Sequence, residues 1–438
     1  MPLLSKDEAR ALLEKVIGYS KADACEANLN GSDGGNIRYA RNTVTTSGSE
    51  SNLSLAVQSS FGKKSGTATI NEFDEASLEK VVRRAEELAR LAPENPEYMP
   101  PLGPQEYVDT PTFVDDTAAI TPAYRAQVAA ASIRPAREKN VTAAGFLQDN
   151  ARFSAMMNSA GLFAYNRSTG LDFSVTMRTE DGTGSGYVSR DYNDVRRFDA
   201  ARASQIALDK AVLSQEPRAV EPGKYTVILE PEAALGLLQG LMFSMGARQA
   251  DEGRSFLAKA GGGTKLGEKI VDERVTIFSD PTNPEVPTAG WTGDGRPRGR
   301  TVWIENGVVK SMYYTRYWAE KQGVEAVTPP GNGIMEGGDA GLDALIADTR
   351  RGILVTRLWY IRTVDPQTLL YTGLTRDGTF FIENGQIRYP VKNFRFNESP
   401  IIMLNNLEAL GRPMRVSGNL IPPVKVRDFT FTSLSDAV

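Results

Sequence analysis

At 438 residues, with 41% hydrophobic and 24% charged side chains, the chain exceeds the size at which one hydrophobic core stops growing, and its composition excludes wholesale disorder and fibrous repeats. The 50 Lys+Arg and 54 Asp+Glu leave a formal net charge of -4 with no basic block, which argues against a general phosphate-binding surface and against nucleic acid as the partner. With no histidine and one cysteine, Cys25, the chain has no Ser-His-Asp triad, Cys-His dyad, His-ligated metal, internal disulfide or Cys-Cys metal knuckle. Carboxylate, lysine, tyrosine or main-chain chemistry stays open, as does an all-oxygen metal site.

Met1 to Glu8 reaches acidic residues at once and offers no apolar stretch of a secretory signal. Ser5-Lys6-Asp7-Glu8 reads as a capping box, and Ala9, Leu12, Leu13 and Val16 fall on one face of a helix running to about Ile17, with Gly18 as its stop. Short strands are expected near Ala22 to Leu29, Ile37 to Thr45, Asn52 to Ser59 and Gly66 to Ile70, with turn material at Gly62 to Gly66. A second amphipathic helix covers about Glu75 to Leu91, its Glu79/Arg83 and Glu86/Arg90 pairs forming a solvated face. Pro93, Pro96, Pro100, Pro101 and Pro104 mark an extended connector wrapping the surface.

Thr121-Pro122 opens a third helix that Pro135 should kink or end, and alternating segments at Thr142 to Gln148, Phe163 to Asn166 and Phe173 to Arg178 suggest an antiparallel sheet. A fourth helix spans about Asp199 to Leu213, and Glu216 to Gly223 is the expected boundary between a domain of residues 1–220 and one of 221–438. A buried strand at Tyr225 to Leu229 then leads into a helix from about Glu232 to Ala247. This is the most apolar stretch of the chain, but Glu230 and Glu232 interrupt it, so no membrane span is predicted and the chain reads as cytoplasmic. Beyond Gly261 the sequence is strand-rich, and Asn306-Gly307 and Asn384-Gly385, each between β-formers, predict two equivalent hairpins.

Three local motifs invite chemistry. Gly262 to Glu268 meets a phosphate-loop spacing, but Glu268 stands where that loop needs lysine, so a flexible or backbone-approach loop is the better reading. Asp181 to Gly186 has neither a dinucleotide fingerprint nor a nucleophile elbow and reads as a turn. Asp251-Glu252-Gly253-Arg254, close to Arg248, mixes carboxylates with guanidinium groups. It reads as a helix-terminal ion-pair cluster or as an anchor for a peptide terminus or carboxylate.

The second half carries Gly223-Lys224-Tyr225-Thr226-Val227-Ile228-Leu229, Gly267-Glu268-Lys269, two Ile-Glu-Asn-Gly hairpins, Glu336-Gly337-Gly338, Gly352-Ile353-Leu354-Val355-Thr356 and Tyr389-Pro390-Val391-Lys392. In order and spacing these motifs resemble the TldD/PmbA family, also called modulator of DNA gyrase; the first half fits the family's α/β domain more loosely. The resemblance implies a zinc-bearing TldD-type subunit, with His-Glu-x-x-x-His on a helix and a C-terminal cysteine as third ligand, paired with a metal-free TldE (PmbA)-type subunit. Placed without a gap back from Gly267-Glu268-Lys269, the motif positions here read Phe243-Ser244-Met245-Gly246-Ala247-Arg248, and Met414 to Val424 holds no cysteine.

The expectation is therefore an α/β (α+β) chain of two domains, N-terminal helices on an antiparallel sheet followed by a strand-rich C-terminal domain. The resemblance implies a cytoplasmic, non-catalytic, chamber-forming subunit of an oligomeric metallopeptidase acting on unfolded or extended peptides. It implies no cofactor in this chain, zinc only in a TldD-type partner, and that partner or a second copy of the chain as oligomeric mate. Arg248, Asp251, Glu252 and Arg254 are the candidate substrate-binding residues, and Phe243, Ser244 and Arg248 occupy the catalytic positions. The alternatives are an autonomous carboxylate hydrolase around Asp251 and Glu252, and a non-enzymatic peptide-binding or gyrase-modulating protein.

Overall fold

The computed structural model describes residues 3–435. The first half runs α1 (Lys6–Tyr19), β1 (Ala24–Ala40), β2 (Thr43–Phe61), β3 (Lys64–Ile70), α2 (Glu75–Leu91), α3 (Asp115–Ala118), α4 (Pro122–Glu138), β4 (Val141–Asn158), β5 (Phe163–Thr179), β6 (Ser185–Tyr192) and α5 (Ala200–Leu213). Its strands form one antiparallel sheet in the order β3-β2-β1-β4-β5-β6. Leu13 and Val16 of α1 and Leu78, Val81, Val82 and Ala85 of α2 pack on one end of it, while α4 and α5 bury Val128, Ala129, Ala203 and Ala207 on the other. Helices on an antiparallel sheet are what the periodicities predicted.

The details depart from the local reading in instructive ways. Ser5 and Glu8 form the capping box, but α1 passes through Gly18 to end at Tyr19, with the Ser20 amide donating to Ile17 O. The expected short strands fuse into β1, β2, β4 and β5, because cross-strand pairing carries the glycine- and serine-rich stretches that propensity reads as breaks. The turn between β1 and β2 is Arg41-Asn42, at φ 50° and 59°. Helix α4 runs three residues past Pro135. Glu86 is not on a solvated face: it is 2% exposed, accepts from the Lys21 amide at 2.6 Å and pairs with Arg83 at 3.1 Å.

One buried ion pair pins the centre of this sheet. Arg125 of α4 meets Asp149 of β4 through Nε–Oδ1 at 2.6 Å and Nη2–Oδ2 at 2.9 Å, both residues being 4% exposed. The guanidinium lies on Gly35 of β1, where an added Cβ would sit 2.2 Å from Cζ.

The second half comprises β7 (Lys224–Leu229), α6 (Pro231–Phe243), α7 (Ala247–Asp251), β8 (Ile277–Ser279), β9 (Thr301–Glu305), β10 (Val308–Val309), α8 (Arg316–Gln322), β11 (Ile334–Met335) and α9 (Leu342–Ala347). It continues with β12 (Arg351–Val355), β13 (Leu358–Asp365), β14 (Leu370–Thr375), β15 (Thr379–Glu383), β16 (Gln386–Pro390), β17 (Phe394–Glu398) and α10 (Pro400–Asn405), then β18 (Leu407–Leu410), β19 (Met414–Val416), β20 (Asn419–Ile421) and β21 (Val424–Leu434). A six-stranded sheet has the order β10-β9-β8-β11-β20-β19, and a nine-stranded one β13-β14-β17-β21-β7-β12-β15-β16 with β18 on β21. Helix α6, apolar nearly all round with Leu235, Leu237, Leu238 and Leu241 buried, touches strands of both sheets, as such a helix must to hide every face. Asn306-Gly307 and Asn384-Gly385 have φ of 50°/77° and 51°/75° and join β9 to β10 and β15 to β16, the two expected hairpins.

The proline-rich connector ties the halves together. Asn95 N donates to Lys63 O, Arg316 Nη2 to Pro100 O at 2.7 Å, and Tyr107 Oη to Gly295 O at 2.8 Å. No helix among the described residues is long and apolar enough to cross a membrane.

Candidate functional site

The helix expected over Glu232 to Ala247 is broken. α6 ends at Phe243, Ser244 to Gly246 leave the helical path, and a separate short helix, α7, begins at Ala247. The cause is a strand-like exchange with the segment before α8, in which Tyr313 N donates to Met245 O and Ala247 N donates to Tyr313 O, each at 3.0 Å. Gly246 admits this contact, since a Cβ there would lie 2.9 Å from the Tyr313 hydroxyl. Phe243 and Arg248 therefore do not share one continuous helix.

Phe243 is 67% exposed at the end of α6 and lines a cleft of about 520 Å³ with Ser244, Gln249, Arg254, Asp365 and Gln367. Ser244 hydrogen-bonds Tyr371, whose phenol is pushed above its usual range by burial. Gln367 Nε2 donates to Gly253 O at 3.1 Å and closes one rim.

The four candidate binding residues divide. Arg248 spends its guanidinium on protein: Nη1 and Nη2 reach the two Glu97 oxygens at 2.9 and 2.8 Å, and Nε reaches Glu252 at 3.0 Å. It also stacks on Trp318, 4.9 Å from the ring centroid. Hydrogen bonds from Arg248 hold Glu97 below the ordinary carboxylate range, and those from Arg254, then Arg248, do the same for Glu252. Asp251 accepts from Trp318 Nε1 at 2.7 Å. Arg254 pairs with Glu252, stays 61% exposed on its side chain and is the one of the four that lines the cleft. Sequence reasoning missed Glu97 because it lies 151 residues from its partner, and Asp365 and Gln367 because nothing local marks them.

The other motifs settle simply. Gly261, Gly262 and Gly263 all have positive φ with open space around them, and Glu268 pairs with Lys259 at 2.6 Å. Asp181 accepts from Thr179 and Thr183, which pulls its pKa down to about 2, as in a turn that caps itself.

Comparison with known families follows the same chain order. The PmbA/TldA metallopeptidase domain 1 matches residues 25–89, the central domain 109–215 and the C-terminal domain 222–433. The chain belongs to the PmbA/TldD metallopeptidase family. Domain 1 and the central domain of the family together build the single first-half sheet of this member. Metalloprotease PmbA of Escherichia coli O157:H7 is 22% identical over 458 residues, covering 97% of this chain and 98% of that protein. A metalloprotease of Methanothermobacter thermautotrophicus is 25% identical over 287 residues, 60% of this chain and 61% of the relative, so the match spans under two thirds of that relative's length. The crystal structure of TldE from Thermococcus kodakarensis has the same fold, with a TM-score of 0.87 at 18% identity over 96% of this chain and 100% of that one.

The zinc that the family implies does not fit the residues of this chain. There is no imidazole, and Cys25 is 1% exposed on β1 with its thiol pushed up by burial. The positions that the ungapped spacing assigns to the motif, Phe243, Ser244 and Arg248, lie across the break between α6 and α7, and the described residues contain no group of three His, Cys, Asp or Glu poised for a metal.

Proposed function

We propose that this chain is the non-catalytic subunit of a cytoplasmic TldD/TldE-like peptidase, binding extended or unfolded peptides and completing a chamber around the zinc site of a TldD-type partner. The observation that carries this reading is the absence of histidine from the chain, whose one cysteine is buried on β1. A subunit so altered has no water-activating group of its own, and what it contributes is binding and orientation.

Two surfaces support a peptide-binding role. The cleft at Phe243 offers an exposed ring beside Arg254 and Gln249, suited to an apolar side chain flanked by polar main chain. The second is the edge of β2: β3 covers only Leu55–Phe61, so among the described residues Thr43 to Ser54 has a strand on one side only. That stretch is rich in Ser and Thr, has one charge, Glu50, and lacks the Lys or Pro that often blunts an edge; its one register shift, at Thr45, lies near the turn. An extended peptide added there would bond through its main chain and so be accepted with little regard to sequence.

The carboxylate-hydrolase alternative loses ground on geometry. Asp251 accepts from Trp318 Nε1, and Glu252 is held by two guanidinium groups that keep its carboxyl below the ordinary carboxylate range, so it is poorly suited to carry a proton. The test is to assay cleavage of an unfolded peptide by this chain alone, by a zinc-bearing paralogue alone, and by the two co-purified. The proposal expects cleavage that needs the paralogue's zinc and rises on mixing. Cleavage by this chain alone in chelator at the rate of the mixture would overturn it.

A further inference from the structure

A second cleft, of about 500 Å³, lies where four distant stretches meet: α1, the connector from Gln105 to Phe113, the start of β5, and the Gly290-Trp291 loop of the second half. Its charge is one-sided. Lys6 and Arg10, four residues apart on α1, share one helix face, and Arg167 stands on the β5 wall; Asp109 is the carboxylate among the lining residues. None of the three cations has a carboxylate within ion-pair distance among the described residues, whereas Arg83, Arg125, Arg196 and Arg248 are all paired. Both guanidinium groups sit over rings instead, Arg10 at 4.1 Å from the Phe163 centroid and Arg167 at 3.6 Å from that of Phe113. Stacking orients a guanidinium and leaves the N–H groups in its plane available to an acceptor.

The spacing matches two kinds of contact. Phe163, Tyr165 and Arg167 alternate onto one face of β5, so the backbone positions of Phe163, under Arg10, and of Arg167 are about 13 Å apart. One end therefore concentrates positive charge at Lys6 and Arg10. The other offers flat surfaces at Arg167 and Phe113, with Tyr107 and Trp291, 6.5 Å apart, on the connector side. We propose that this cleft binds a small ligand in which a phosphate-like anion is joined to a planar ring, a nucleotide in chemistry, with the anion at Lys6 and Arg10 and the ring toward Arg167 and Phe113. A single nucleotide rather than a strand is expected, because the chain as a whole is acidic, at -4, and carries no basic track leading away from the cleft. The volume is within the ordinary range for small-ligand sites.

The test is calorimetric titration of the full chain at low salt with AMP, adenosine and inorganic phosphate. AMP is expected to bind with a Kd below about 1 mM, and adenosine and phosphate each at least about ten-fold more weakly. Arg10→Ala and Arg167→Ala, both at exposed positions, should each weaken AMP by about ten- to hundred-fold without moving the melting temperature. The proposal is overturned if AMP gives no heat at millimolar concentration, if phosphate or adenosine binds as tightly as AMP, or if AMP binding survives both substitutions.

Discussion

Gly35→Ala is the sharpest probe of how the first half holds its sheet. The new Cβ would lie 2.2 Å from Cζ and 2.3 Å from Nη2 of Arg125, so the guanidinium must leave Asp149 or the strand must move. Asp149 is 4% exposed, and a buried carboxylate stripped of its partner costs about 3–5 kcal/mol. Alanine in place of glycine within a strand recovers about 0.5–1 kcal/mol, which leaves a net loss of about 2–4 kcal/mol. For a unit of this size that corresponds to a melting temperature lowered by about 4–16 °C, read by calorimetry. The control is the apolar background Arg125→Met/Asp149→Leu, itself expected to be near neutral, in which Gly35→Ala should cost less than about 1 kcal/mol. A Gly35→Ala protein melting within about 1 °C of the parent, or losing as much in the apolar background, would refute the reasoning. Because Gly35 faces Ser49 of β2 in register, the same substitution should reduce peptide binding along the β2 edge.

Grafting Phe243→His, Ser244→Glu and Arg248→His together should not create a stoichiometric zinc site, because the helix ends at Phe243; elemental analysis after dialysis finding about one zinc per chain would contradict this. Arg248→Ala should free the connector at Glu97 and raise chymotryptic cutting after Tyr98 by about two- to five-fold, the range of a surface ion pair. Acid should act in the same direction: hydrogen bonds from Arg248 depress Glu97, so the tether is fully present above the ordinary carboxylate range and is lost as pH falls through the lowered value. Cutting that stays flat as the pH is lowered would deny the tether. Gly307→Ala, at φ 77° and 2.2 Å from Val271 O, should destabilise the second half by at least about 1–2 kcal/mol, and an unchanged denaturant midpoint would show that the turn is not held as described.

What the sequence made legible follows from the range of the interactions involved. The capping box at Ser5 and Glu8, the Thr121 cap and the two Asn-Gly turns depend on residues within four positions of each other, and all are present. The fusion of short β1 and β4 segments into strands of 17 and 18 residues depends on pairing across more than a hundred residues, which no local pattern carries. Glu86 shows the same limit in one side chain: its helix spacing promises a solvated pair, while the Lys21 amide draws it inside. Phe243, Ser244 and Arg248 were legible in identity but not in shape. The missing ligands could be read from the composition, whereas the helix break needs Tyr313, about seventy residues away, to pair with Met245 and Ala247.

That break bears on the subunit role proposed above. If only the metal-binding side chains differed, three substitutions would separate this chain from a catalytic one. Here the backbone at Ser244 to Gly246 is committed to Tyr313, and Arg248 is committed to the connector through Glu97. A histidine at position 248 would lose both contacts to Glu97 before it could reach a metal. Arg248 is an ion-paired anchor that joins α7 to the connector, with Arg254 and the Phe243 ring left facing the adjoining cleft. Binding in that cleft can thus vary without disturbing the anchor. Arg254→Ala, which removes a guanidinium with one carboxylate partner and 61% side-chain exposure, should weaken peptide cleavage by the mixed assembly while leaving melting and assembly unchanged. Equal losses of cleavage, melting temperature and assembly would instead assign Arg254 to the scaffold.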